Sequence, residues 1–276
     1  MCSIESKFKE IAKEEIKEYN NKNFGKKITC DINSLVCEDQ FFGVLEIKSD
    51  EDKCCAWLEP PVVLKATNEK KKEEEKIRIE KERKKHSEKI EKSKCNAIVI
   101  VLESPHKDEY IFNETQKQYI GPALGTTGQN LLNWLPSVLI NYVPTEIDKK
   151  TGTAKCIEKH NIKLGKYAIK LVNAVQYQCS LGQDTELFRD NVFSEMWKKP
   201  DVRKSFGKRL EESKPCIIIN CCTKGDYKRE EDSLRFRVQE EINKLAKDNP
   251  CLLLRAAHPA SPHFRNGLSY VEIEKQ

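Results

Sequence analysis

The spacing of apolar positions changes character twice along the chain. From Ile4 to Tyr19 the residues Ile4, Phe8, Ile11, Ala12 and Ile16 recur at three- and four-residue steps, which predicts an amphipathic helix. The next stretch, to about Leu64, holds FFGVLEI and CCAWLEPPVVL and reads as irregular or β-containing, with Pro60-Pro61 opposing helix at its end. Residues 67–94, TNEKKKEEEKIRIEKERKKHSEKIEKSK, then carry twelve Lys and Arg against eight Glu and almost no apolar side chains. That is the pattern of a solvated helix or linker. A spacer is favoured over a DNA-gripping arm, because the glutamates would repel phosphates.

Beyond Lys94 the pattern becomes that of a folded α/β domain. Four apolar runs rich in β-branched residues appear, NAIVIVL (96–102), YAIKLVNAV (167–175), CIIIN (216–220) and CLLLRAA (251–257). Such uninterrupted runs fit strands buried on both faces. Helical patterns fall between and beside them, near Gly128–Ile140, Thr185–Trp197, Val202–Ser213 and Asp232–Asp248. The alternation predicts a three-layer α/β/α fold with a central four-stranded parallel sheet. Residues 95–276 would form this domain, preceded by an N-terminal helical or irregular appendage (1–66) and the charged linker (67–94).

Composition narrows the class without choosing a function. The 276 residues are 38% hydrophobic and 34% charged, which suits a soluble protein with a heavily charged face. No apolar run reaches the roughly 18–20 residues that span a bilayer, and the opening MCSIESKFKE lacks a signal-peptide core, so no membrane partner and a cytoplasmic location are expected. The twelve cysteines lie partly inside apolar runs and are expected as reduced, mostly buried thiols. A net charge of +5 with many acids permits nucleic-acid binding without requiring it.

The residues suited to chemistry follow the predicted strands directly: Glu103-Ser104-Pro105-His106 after the first, Asn173 at the end of the second, His258-Pro259 after the fourth. In open parallel sheets the ligand crevice lies outside the carboxyl ends of the strands, so these segments are expected to converge on one cleft.

Four of these segments resemble motifs of the uracil-DNA glycosylase superfamily, in the right order over most of residues 96–267. IVIVLESPHKDEY is similar to the first catalytic motif of the thermostable, family-four enzymes, with Glu103, Pro105, Asp108 and Glu109 in register. GPALGTTGQNLLNWL matches that family's second stretch at Pro122, Gly125, Gly128 and Leu132. LVNAV resembles the strand bearing the base-reading asparagine, here Asn173, and LLLRAAHPASPHFRNG resembles the His-Pro-Ser-Pro segment that precedes a DNA-inserting loop. Residues 1–94 lie outside the resemblance.

The resemblance implies a DNA glycosylase that flips a base from single- or double-stranded DNA and hydrolyses its N-glycosidic bond, leaving an abasic site. His258 would hydrogen-bond the departing base anion, and Glu103 would handle the attacking water and shield the sugar cation, with Asp108 in reserve for the water. Asn173, His106 and Ala123 would contact the base. Ser104, Pro105, Gly125, Gln129 and Ser261 would contact the DNA backbone, and His263, Phe264 and Arg265 occupy the wedge loop. A buried Asn173 bonded to backbone and a Phe264 serving as a core anchor are the plain alternatives.

Departures from the family pattern bear on the substrate. Ala123 stands where the family has a phenylalanine that stacks on uracil, Leu102 replaces an opening glycine, and His106 replaces the residue guarding the five-position of the base. Stacking is worth about 1–3 kcal/mol per base, so its loss points to a bulkier, modified pyrimidine. Glucosylated hydroxymethylcytosine, removed from viral DNA by an anti-phage member of the superfamily, is one such base. Uracil repair and a non-catalytic module that binds modified DNA are the alternatives.

No cofactor or metal is expected. Family-four enzymes carry an iron–sulfur cluster on four cysteines, but no Cys-x-x-Cys occurs here, and Cys54-Cys55 and Cys221-Cys222 are adjacent pairs poorly shaped for one metal. An unrelated nucleotide-binding enzyme is disfavoured because no GxGxxG or GxxxxGK[ST] follows a predicted strand. A Ser104 nucleophile lacks the flanking glycines of a nucleophile elbow.

Overall fold

Four β-branched runs become four neighbouring parallel strands at the centre of the molecule, as seen in a computed structural model of the chain. Described are residues 3–22, 27–28, 34–50, 53–59, 69–92, 95–106, 109–112, 117–119, 121, 123, 125–140, 147–148, 150, 153–155, 161–181 and 186–271. Asp108, Pro122 and Leu124 lie outside this set.

The central strands are β3 (Asn96–Leu102), β9 (Gly165–Asn173), β10 (Pro215–Asn220) and β11 (Leu252–Arg255), joined in the order β11-β10-β3-β9, each pairing parallel. The sheet does not stop at these four. It has seven strands, because β12 (Ser269–Tyr270) adds antiparallel to β11, and β1 (Gln40–Asp50) followed by β2 (Lys53–Leu58) adds antiparallel beyond β9. The expected four-stranded sheet is therefore the parallel centre of a wider mixed sheet. Sequence periodicity concealed the extension, since it reports which residues are apolar and not which edge a strand joins. Two short antiparallel sheets, β4 (Tyr110–Phe112) with β5 (Lys117–Tyr119), and β6 (Ile147–Asp148), β7 (Thr153–Lys155) and β8 (Asn161–Lys163), lie outside it.

Side-chain alternation along the strands divides the interior into two cores. On one face Val99, Val101, Val172, Ile218 and Leu253 pack with α4 (Glu186–Trp197), α5 (Pro200–Glu212), α6 (Leu234–Asp248) and Phe8 and Ala12 of α1 (Ile4–Lys22). On the other, Ile98, Ile100, Leu102, Ile169 and Leu254 pack with Leu131, Leu135 and Leu139 of α3 (Thr126–Ile140) and with Leu45 and Ile47 of β1. Helices thus cover both faces of a mixed α/β sheet.

The segment expected as an appendage is built into this arrangement. α1 lies against α4, β1 pairs with β9 from Gln40 to Ile47, and α2 (Glu69–Lys92) rests on β1 and β4. The compositional break at residue 94 is not a break in the fold. Among the described residues no helix is long and apolar enough to cross a membrane. The nine described cysteines are free thiols, and burial pushes that of Cys179 up to about 12, which keeps it protonated and unreactive.

Candidate functional site

Residues that follow β3, β10 and β11 line one cavity of about 360 Å³, joined by Ser180 from the segment beyond β9. Glu103, immediately after β3, stands in the cavity wall. The Glu103 carbonyl accepts the Val175 N–H at 2.9 Å, extending the β3–β9 pairing past the strand end, and its side chain accepts the Thr223 N–H at 3.2 Å. Two neighbouring strands therefore orient this buried acid.

His258 arrives from β11. The Ala256 N–H donates to the Asn220 carbonyl at 3.1 Å, and Asn130 of α3 donates to the Pro259 carbonyl at 2.7 Å, fixing the loop from both sides. The Ala260 N–H donates to His258 Nδ1 at 3.2 Å, so the proton of the neutral ring sits on Nε2. That nitrogen faces Glu103, with Nε2 to Oε2 at 3.7 Å. The pair is within ion-pair range and too long for a direct hydrogen bond, so both groups remain available to a third atom.

Glu109 supplies a second carboxyl in the wall. Its Oε1 accepts the Ala123 N–H at 2.7 Å, while its buried Oε2 has no hydrogen-bond partner. Burial pushes this carboxyl up to about 8, against the opposing pull of the Ala123 amide and the Arg83 guanidinium. It therefore holds its proton near neutrality.

Arg189 of α4 brings a cation to the same cavity. Asp190 holds it, accepting from Nε at 2.8 Å and from Nη2 at 2.7 Å on one oxygen. The other Asp190 oxygen accepts the Asp226 N–H at 2.6 Å. Gly225 sits beside it at φ 76°, where a Cβ would come within 2.8 Å of that oxygen. Only glycine meets both the backbone and the space requirement there.

Of the sequence-predicted residues, Glu103, Ser104, His106, Gly125, His258 and Ser261 line the cavity. Pro105 is buried beside them, and Asp108 lies outside the described residues. Gln129 is exposed one turn into α3 and is not among the lining residues.

Asn173, Ala123 and Phe264 are not among the lining residues. Asn173 is 2% exposed, with its Nδ2 donating to Cys37 Sγ at 3.1 Å. That bond ties it to the 34–39 segment, while its Oδ1 is buried without a hydrogen-bond partner. Ala123 is buried behind Glu109 at φ 57°, so its small side chain does not itself widen the cavity. Phe264 is a core anchor, buried with Leu254 and Leu131, while His263 and Arg265 stay exposed on the 3-10 turn Pro262–Asn266. Ser261 caps that turn by accepting the His263 N–H at 3.2 Å.

Sequence reasoning missed Arg189, Ser180, Thr223, Thr126 and Thr127 as wall residues, and it noted Glu109 only as a motif match. Thr126 and Thr127 follow Gly125 at a helix start, a usable signal for polar contacts. Arg189 gives none, since an arginine within a helical pattern is indistinguishable from a solvated one. Among the described residues no group of three His, Cys, Asp or Glu could hold a metal ion. No protein-family model, curated protein or solved structure matches this chain.

Proposed function

We propose that the cavity is the active site of a DNA glycosylase, which removes a base by hydrolysing its N-glycosidic bond. The observation that carries this reading is the pairing of Glu103 Oε2 with His258 Nε2 at 3.7 Å in a strand-end cavity, with the histidine proton directed by Ala260 onto Nε2. As the C1′–N bond breaks, its electron pair leaves with the base, and the His258 Nε2–H hydrogen-bonds the developing anion. Glu103 offsets the oxocarbenium charge, orients a water onto C1′ and takes its proton. The products are a free base and an abasic sugar.

The favoured substrate is a pyrimidine carrying a bulky polar substituent, such as glucosylated hydroxymethylcytosine in phage DNA. Support comes from the lining: the hydroxyl-bearing residues Ser104, Thr126, Thr127, Ser180, Thr223 and Ser261 border the cavity. Among the described lining residues the only flat rings are the imidazoles of His106 and His258. A plain base would find few stacking surfaces there, whereas a hydroxylated one finds many hydrogen-bond partners.

The test incubates the full-length protein with duplexes containing uracil, hypoxanthine or glucosylated hydroxymethylcytosine and measures abasic sites. Release of the glucosylated base is expected. Release of uracil alone sinks the substrate assignment, and binding without any release identifies a non-catalytic module.

A further inference from the structure

The charged helix α2, whose composition reads as a spacer, buries one stripe of side chains, Lys76, Ile79, Arg83 and Ile90. Two of the four are cations, 4% and 5% exposed, and a buried cation is costly unless its N–H groups are used. Both are used on main-chain carbonyls. Lys76 Nζ donates to the Tyr110 carbonyl at 2.8 Å, and Arg83 Nη2 donates to the Ala123 carbonyl at 3.2 Å.

Those carbonyls belong to two residues joined to one wall residue of the cavity, Glu109. Tyr110 follows Glu109 directly, and Ala123 donates its N–H to Glu109 Oε1 at 2.7 Å. Ala123 sits at φ 57°, a left-handed conformation that alanine adopts at a cost and that needs external support. The remaining carboxyl oxygen, Oε2, is buried, lacks a hydrogen-bond partner and belongs to a side chain bordering the cavity.

We propose that Arg83 and Lys76 are positioning residues of the cavity: α2 holds the main chain at Tyr110, next to Glu109, and at Ala123, which donates to Glu109, and the Arg83 guanidinium favours the ionised form of the carboxyl that borders the cavity. The groups that act on this carboxyl are Arg83 from α2, Glu103 from the end of β3 and the backbone of Ala123 and His106. Arg83 favours the carboxylate and Glu103 opposes it, while burial outweighs both. Near neutral pH Glu109 then offers a hydrogen bond from Oε2 to an acceptor atom on the ligand. The clamp does not depend on the glycosylase reading.

The test follows the Glu109 carboxyl by carbon NMR through a pH titration of the full-length protein, with Glu109→Gln identifying the resonance. The wild-type midpoint is expected near about 8. Arg83→Met and Arg83→Gln are expected to raise it by roughly one unit, and Arg83→Lys, which keeps the charge, to stay closer to wild type. A role for Arg83 in packing alone would lower the melting temperature and leave the midpoint in place, which overturns the proposal. So does a wild-type midpoint in the ordinary carboxylate range, a result that decides the matter even where both neutral variants fail to fold. No substrate is needed, so a failure here is separate from failure of base release.

Discussion

His258 Nε2 lies 3.7 Å from Glu103 Oε2, although one residue follows β11 and the other follows β3. The contact exists because the two strands run parallel on either side of β10, which carries their loops to the same edge. Neither side chain reaches the other through its own element.

Removing either partner should abolish chemistry before it harms the fold. Glu103→Gln is expected to slow base release by about 10²–10⁴-fold, the range for a general base. His258→Ala is expected to cost about 10²–10³-fold, the range for one oxyanion-type donor. Single-turnover abasic-site formation measures both. Near-wild-type rates in the two variants would remove this pair from the mechanism.

Glu109 makes stability depend on pH with a definite sign. Its carboxyl is raised from 4.5 to about 8 in the folded protein, so between those values the unfolded chain has lost a proton that the folded chain keeps. Stability contributed by this group is full below about 4.5, falls as pH rises through the window, and is lost above about 8. Glu109→Gln keeps an acceptor for the Ala123 amide and removes the titration. Urea denaturation at pH 5, 6.5 and 8 should show a shallower decline in the variant, and parallel declines would refute the assignment.

Arg209 joins the 34–39 segment to the end of β9. Its Nη1 donates to Asp39 at 2.6 Å and its Nη2 to the Asn173 carbonyl at 2.9 Å. Burial pushes Asp39 up and Arg209 down, each towards neutrality, and each partner opposes the shift in the other. Arg209→Met strands a buried carboxylate and is expected to cost about 3–5 kcal/mol, read from chemical denaturation. A loss below 1 kcal/mol would show that solvent reaches Asp39.

Deleting residues 1–94 should not yield an independent domain. It removes β1 from the β9 edge, α1 from α4 and the α2 stripe from Glu109. The expected outcome is an insoluble or non-cooperatively melting fragment, because a long apolar edge is exposed. A truncated protein that melts sharply would show that the parallel centre suffices.

Within the parallel centre much was legible in the chain. Residues 97–102 are apolar on both sides of the strand, which only a doubly covered strand requires, and Leu252–Arg255 fell inside the predicted run for the same reason. The convergence of Glu103 and His258 followed from parallel topology alone. Cys37 against Asn173, and Arg83 beneath Ala123, had no comparable signal. Each joins residues far apart in sequence, through a side chain whose type says nothing about its partner.

By itself, then, the sequence determined the α/β alternation and the strand-end positions of Glu103, Ser104, His106 and His258, since periodicity and parallel connection are local properties carried by each segment. Tertiary structure alone decided that β1 extends the sheet, that Asn173 bonds Cys37, and that Lys76 and Arg83 are buried. Burial of a polar group depends on whether another element arrives to desolvate and bond it, and charge composition records no such encounter.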